Sequence, residues 1–309
     1  MDRPRLGFIG AGIVGTALAR SLLRAGYSVA AIASRSADRC VALAKQIPGA
    51  HAASTPQEVA DAADLVLLTV PDDSIEPLCG SITWASANAI EPPAGSITRA
   101  SARAVHCSGA TSLDVLEHAS AQGAAVGVFH PLQTFATASQ AEANIPGSTF
   151  GIEASSEELL AILSEMAKSL GGTPLVLSGD KAIYHASAVV ASNYLVALLD
   201  VASGLWELLG LSREQGLKAL LPLVRGTIEN LESVGLPGAL TGPIARGDVG
   251  TIQRHLSALR EVAPDVLPVY KELARRAIPI ARAKGGLSEE TADRLRAILD
   301  RADGGGGKQ

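Results

Sequence analysis

Residues 181–195 read KAIYHASAVVASNYL, a run suited to a buried helix that nonetheless carries Lys181, His185 and Asn193. An unpartnered buried polar group costs about 1–3 kcal/mol. Each of the three therefore needs a partner or a task. An imidazole changes charge near neutrality, so it can give or take a proton, and an amide can hold a carboxylate or hydroxyl. On an ideal helix Lys181, His185 and Ser192 fall within roughly 40° of one line, and Asn193 lies about 80° from His185. Backbone carbonyls or a subunit interface could also satisfy these groups, so both readings stand at this point.

A second set of residues points to a phosphate-bearing ligand. GAGIVG, residues 10–15, fits G-x-G-x-x-G between an apolar strand-like run and a helical one, the context that gives the pattern meaning. In that setting Gly10 permits a tight turn, Gly12 lets a diphosphate approach the backbone, and Gly15 lets helix and strand pack closely. Ala11, Ile13 and Val14 complete the turn, and free amides at the helix start favour the phosphate charge. The next strand ends at Ser34-Arg35-Ser36, where an NAD site usually carries an acid for the ribose hydroxyl. A guanidinium and two hydroxyls suit a 2′-phosphate instead, so NADP is expected ahead of NAD. The competing reading makes Arg35 a solvated loop residue and Ser36 a helix cap. Val70, Pro71 and Asp72 follow the strand 64–70 and are expected to line the same crevice, although Asp72 and Asp73 could equally cap a helix.

His106, Ser108, His130 and Gln133 follow further strands and are placed to reach the reacting end of such a cofactor. Arg246, in TGPIARGD (241–248), could clamp a carboxylate or pair with Asp248. The three cysteines, Cys40, Cys79 and Cys107, have no metal-ligand or disulfide spacing. No metal site is expected, and a reducing cytoplasm is the natural compartment.

The elements that must hold these groups can be read from periodicity. Apolar runs at 5–10, 27–34, 64–70, 102–109, 124–131, 150–154 and 174–178 alternate with helical segments, which argues for a mostly parallel sheet with helices on both faces. Helices are expected at 13–26, 36–48, 111–123 and 155–172, and a short one at 55–63 with Thr55 as cap and Pro56 in its first turn. The stretch 84–101 reads as an irregular loop. From about residue 180 the pattern turns wholly helical. The expected organisation is an α/β Rossmann domain over 1–178, an all-helical substrate and dimerisation domain over 179–303, and a disordered tail at 304–309.

Taken together, GAGIVG, the VPD strand end, HCSGA (106–110), HPLQTF (130–135) and YHASAVVASNYLVAL (184–198) resemble the Rossmann-like DUF2520 oxidoreductase-like proteins. These belong to the wider 6-phosphogluconate dehydrogenase-like group, with ketopantoate reductase, pyrroline-5-carboxylate reductase and the β-hydroxyacid dehydrogenases. The resemblance implies an N-terminal NAD(P)-binding domain, a helical second domain that often dimerises through its helices, and a substrate site between the two. It also implies a lysine and then an asparagine on the first long helix of the second domain. Two mappings fit here. Lys181 with His185 keeps a Lys-x-x-x-polar spacing, or His185 takes the lysine position and Asn193 the asparagine position. Ser108 resembles the small residues that face nicotinamide or substrate.

Composition narrows the classes. The chain has 309 residues, 47% of them hydrophobic, and a formal net charge of -5. It can bury a core, and without a basic stripe it is not expected to bind nucleic acid. No signal peptide or membrane span is expected, since the apolar run 186–202 is interrupted by Asn193 and closed by Asp200. The expectation is an NADP-dependent oxidoreductase that moves hydride to or from the carbonyl or imine carbon of a small carboxylate-bearing metabolite, with a ketopantoate-like 2-oxo acid as first choice. The alternative is a dinucleotide-binding sensor that does no chemistry.

Overall fold

The structure is a computed structural model that describes residues 3–84 and 102–301. The loop expected at 84–101, apart from Trp84, and the tail at 304–309 lie outside the described residues. The chain divides between Ser192 and Asn193 into two compact units.

The N-terminal unit holds eight strands: β1 (Leu6–Ile9), β2 (Val29–Ala33), β3 (His51–Ala52), β4 (Leu65–Leu68), β5 (Arg103–His106), β6 (Ala125–Leu132), β7 (Thr149–Ala154) and β8 (Thr173–Val176). They form one sheet in the order β3-β2-β1-β4-β5-β6-β7-β8, parallel throughout except between β6 and β7. The chain returns from β3 to lay β4 against the other side of β1, which makes the doubly wound switch point there. Its helices are α1 (Ile13–Arg24), α2 (Ala37–Ala44), α3 (Pro56–Ala62), α4 (Ile75–Gly80), α5 (Glu117–Ala121), α6 (Ala138–Asn144), α7 (Glu157–Ser169) and α8 (Lys181–Ala191).

The strands read as near-continuous apolar runs because both faces are covered. In β4, Leu65 and Leu67 enter one core cluster with Phe8, Leu18 and Leu163, while Val66 and Leu68 enter the opposite one with Val59, Ile75 and Trp84. Local signals set the helix starts. The side chains of Ser36, Thr55, Thr137 and Ser156 each accept an amide of the first turn of α2, α3, α6 and α7. Two expected helices come out shorter. The segment 36–48 ends its helix at Ala44, and 111–123 folds as a 3-10 turn over Leu113–Leu116 followed by α5.

The C-terminal unit holds α9 (Asn193–Gly204), α10 (Arg213–Gly238), α11 (Gly242–Ala245), α12 (Val249–Val262), α13 (Leu267–Ala283) and α14 (Glu289–Asp300). Its core packs Ile252, Leu256, Ile278, Leu295 and Leu299 between α12, α13 and α14. By contrast α9 and α10 leave large apolar side chains in solvent, among them Val196, Leu223, Val234 and Tyr194.

The division between units falls later than the expected boundary at 178. The reason is that α8 is bonded to the sheet: its first residue, Lys181, is buried and ion-paired to Glu153 of β7. The helix expected over 181–195 is broken at Ser192, whose backbone (φ -114°, ψ -66°) ends α8. The run Lys181–Leu209 is nevertheless long and apolar enough for a membrane span by composition, with an 18-residue stretch of mean hydropathy 1.6 of which only 6% is buried. A span would have to break at Ser192 and strip α8 from β7.

Candidate functional site

A crevice of about 560 Å³ opens at the switch point, where the carboxyl ends of β1, β2 and β4 come together. It is lined by Gly10, Ala11 and Gly12 after β1, by Ser34, Arg35 and Ser36 after β2, and by Thr69, Val70 and Pro71 after β4. Glycine is required at two positions for different reasons. Gly10 has φ +119°, and a side chain at Gly15 would collide with the Gly10 carbonyl and the Thr69 hydroxyl. Gly12 faces open space. The turn is thus packed hard from behind and left bare in front, and no side chain caps the start of α1. That is a cradle for a diphosphate, and the residues present fit a dinucleotide. Ile13 is exposed and lines an adjoining hollow, while Val14 packs against the core.

Three features of the crevice were not singled out in the sequence. Thr69 Oγ1 donates to the Gly10 carbonyl at 2.8 Å and fixes the turn. Arg39, one helical turn beyond Ser36, lines the crevice with Arg35 and so brings a second guanidinium to the ribose end. Ser74 and Leu78 complete the wall. The i, i+4 relation of Arg35 and Arg39 was the signal available. Ser36 does both jobs weighed for it: it lines the crevice, and it caps α2 through a bond from the Arg39 amide. Asp72 does neither. It is exposed outside the lining and begins a short 3-10 turn over Asp72–Ser74 without capping α4.

Further along the same sheet edge the ends of β5 and β6 carry the polar groups. His106 is wholly buried. Its Nδ1 accepts the Ser108 amide at 3.2 Å, so the proton sits on Nε2, facing the Ser112 carbonyl at 3.3 Å. Burial, aided by the Lys181 charge, lowers its pKa from 6.5 to about 4. The Ser108 hydroxyl accepts the amides of Ala110 and Thr111 and meets Thr111 Oγ1 at 2.8 Å. Its bonding capacity is used up in the turn. Gln133 donates toward Asn144 and Ser148 and accepts the Thr134 amide, which makes it a loop brace.

His130 is different. Its Nδ1 lies 2.9 Å from the hydroxyl of Tyr184 on α8, with the two rings edge to face. Both rings sit on glycines. A Cβ at Gly109 would stand 2.6 Å from the imidazole, and one at Gly151 would stand 2.8 Å from the phenol oxygen. Burial lowers the His130 pKa to about 4, with His185 and Lys181 adding to the effect and Asp72 opposing it. Burial raises that of Tyr184. The pair is therefore neutral at pH 7 and holds its protons. Tyr184 was missed because a tyrosine in an apolar helix reads as core.

Lys181 Nζ donates to the Thr111 carbonyl at 2.8 Å and pairs with Glu153 at 3.0 Å. Burial lowers its pKa while Glu153 opposes the fall. Two of its three donors are thus committed to joining α8 to the sheet. His185, half-buried, shares the Lys181 face one turn on. Asn193 is exposed and opens α9, the first helix of the C-terminal unit.

Two expectations follow. Lys181→Met leaves Glu153 without its partner, and should cost on the order of 2 kcal/mol in urea unfolding; unchanged stability would contradict the tether. His106 makes stability depend on pH. Its folded-state pKa, about 4, lies below the ordinary 6.5, so the unfolded chain binds the proton first. Stability is whole above pH about 6.5 and falls toward pH 4, with a slope on the order of 1 kcal/mol per pH unit. His130, lowered to about 4 as well, adds to the same fall, so His106→Asn should remove only about half of the slope, and equal slopes in the two proteins would rule the assignment out.

Comparison with known proteins agrees with this geometry. Residues 5–91 match the family model described as NADP oxidoreductase, coenzyme F420-dependent, and residues 148–277 match the DUF2520 domain of unknown function. The chain is thus similar to Rossmann-type NADP oxidoreductases over its N-terminal part and to DUF2520 over residues 148–277. Among solved structures, a provisional NADP oxidoreductase of Bacteroides fragilis is 26% identical, with a TM-score of 0.66 over 90% of this chain and 98% of that one. The chain also shares its fold with a 1-pyrroline-5-carboxylate reductase of Streptococcus pyogenes, 18% identical, TM-score 0.61, covering 96% and 99%. A reductive aminase of Aspergillus terreus, solved with NADPH and ethyl-5-oxohexanoate, is 20% identical, TM-score 0.57, covering 97% and 93%. No protein of curated function matches.

Proposed function

We propose that this protein uses NADPH to reduce the carbonyl or imine carbon of a small, carboxylate-bearing metabolite. The observation that carries the reading is the neutral Tyr184–His130 pair on the sheet edge that also forms the dinucleotide crevice. NADPH would be held by the bare turn at Gly10–Gly12 and by Arg35 and Arg39, and it supplies the hydride. The chain supplies the rest. A carbon that accepts hydride leaves a charge on its oxygen or nitrogen, and a positioned acid lowers that cost. Tyr184 gives the proton from its phenol. His130, with its proton on Nδ1, returns that proton to the phenolate while taking another at Nε2 from solvent water, so the imidazole stays neutral. His185 orients the substrate beside Tyr184, and Lys181 fixes the helix that carries both.

An imine goes ahead of the ketopantoate-like 2-oxo acid expected first. Its support is the fold shared with a pyrroline-5-carboxylate reductase and a reductive aminase. Purified protein with NADPH and a panel of cyclic imines and 2-oxo acids tests the proposal through loss of absorbance at 340 nm. Turnover of at least one substrate is expected. Tight NADPH binding with no turnover across the panel favours the sensor instead.

The protein is further proposed to be a cytoplasmic homodimer. A second copy would cover the exposed apolar side chains of α9 and α10, of which Val196 and Leu223 are 69% and 68% exposed. Sedimentation should give twice the chain mass; a monomer, or a need for detergent, would refute it.

A further inference from the structure

TGPIARGD and the turn after α13 enclose a hollow of about 380 Å³ in the C-terminal unit, apart from the groups used above. Its wall is Leu240, Thr241, Gly242, Ala245, Arg246, Lys284, Gly285 and Gly286. Two of these side chains are cationic and none is acidic. The sequence left Arg246 with two readings, a clamp or a partner for Asp248. The structure separates them. Asp248 caps α12, accepting the Thr251 amide at 2.9 Å and the Thr251 hydroxyl at 2.7 Å. Those bonds are the main reason its carboxyl titrates low, and Arg246 is the weakest influence on it. Among the described residues no carboxylate forms an ion pair with Arg246, which is exposed and lines the hollow.

The other polar groups of the wall divide into braced and uncommitted. Lys284 Nζ donates to the carbonyls of Gly238 and Leu240, at 2.7 and 2.8 Å. Its position is fixed and its charge still faces the hollow's lining. Thr241 precedes α11 as its cap residue, but its side chain makes no capping bond. A guanidinium fork, a fixed ammonium and a hydroxyl thus share one hollow with no anion of the protein's own. Gly286 closes the far wall, with the Ala245 carbonyl 3.0 Å from where a Cβ would be.

We propose that this hollow is a binding site for the carboxylate of a small organic acid, held bidentately by Arg246 and completed by the Thr241 hydroxyl. The fork geometry of one guanidinium matches a planar carboxylate. A phosphate dianion would call for more donors than Lys284, already bonded to two carbonyls, leaves available. The assignment goes beyond the proposed reaction and does not depend on it.

Titration calorimetry on the full chain tests it, with pyrrole-2-carboxylate as probe and pyrrole-2-carboxamide as its neutral counterpart. The carboxylate should bind saturably, and the amide at least about tenfold more weakly. Arg246→Met should weaken the carboxylate by about ten- to a hundredfold. Arg246→Lys should fall between, because an ammonium cannot make the paired bonds. Thr241→Val should cost about threefold, near the low end for one hydrogen bond. NADPH affinity and melting temperature should stay at wild-type values in all three. Absence of saturable carboxylate binding, equal affinity in Arg246→Met, or inorganic phosphate competing with higher affinity would overturn the proposal. NADPH titration in the same samples keeps the two readings apart: loss of carboxylate binding with NADPH still bound removes this site alone, and the converse removes the cofactor reading alone.

Discussion

Tyr184→Phe is expected to lower kcat by about a hundred- to a thousandfold, within the range for losing a general acid. The substitution keeps the ring on its Gly151 seat and removes only the oxygen that lies 2.9 Å from His130 Nδ1. NADPH affinity should stay within about twofold, since the phenol is not part of the crevice lining. The loss should fall on kcat and on kcat/KM alike, as it does when an interaction is made only in the transition state. His130→Asn should act in the same direction. His185→Ala should raise KM more than it lowers kcat, because His185 is assigned orientation. If Tyr184→Phe turns over normally and His185→Ala does not, the proton donor is His185 and the roles are reversed.

The second large effect concerns cofactor choice. Arg35→Ala with Arg39→Ala should weaken NADPH by about a hundredfold or more, at roughly 1.5–3 kcal/mol for each charge-assisted bond lost. NADH should change by no more than about threefold, because it lacks the phosphate that these guanidiniums meet. The single variants should each show part of the effect. Fluorescence titration of both nucleotides against all four proteins reads it out. Equal weakening of NADPH and NADH would mean that the arginines contact something other than the 2′-phosphate.

The fold was legible where local signals and packing agree. Strand β4 stands out because both faces are buried and every position is apolar, and Thr55-Pro56 marks the start of α3 by cap and ring alike. The glycine turn was legible because three constraints, at Gly10, Gly12 and Gly15, fall in six residues. The polar cluster was only half legible. His130 could be named as a residue after a strand, but its partner is 54 positions away on a helix. Only the tertiary contact, over a glycine seat at Gly151, shows that Tyr184 is more than core. Lys181 illustrates the converse. A lysine in an apolar helix invites a chemical role, yet Glu153 and the Thr111 carbonyl, both far in sequence, occupy it. Likewise Ser108 looks reactive by position and is consumed by its own turn. Spacing along one element foretells which side chains share a face. It does not foretell which of them find partners on another element.

The central claim is that hydride leaves NADPH bound at the switch point and reaches a substrate carbon. Incubating the protein with cyclic imines or 2-oxo acids and NADPH deuterated on either face of nicotinamide C4 tests it most directly. The account predicts a product one mass unit heavier from one face only, and loss of that product in Tyr184→Phe. Bound NADPH with no deuterium in any product, from either face, would contradict it.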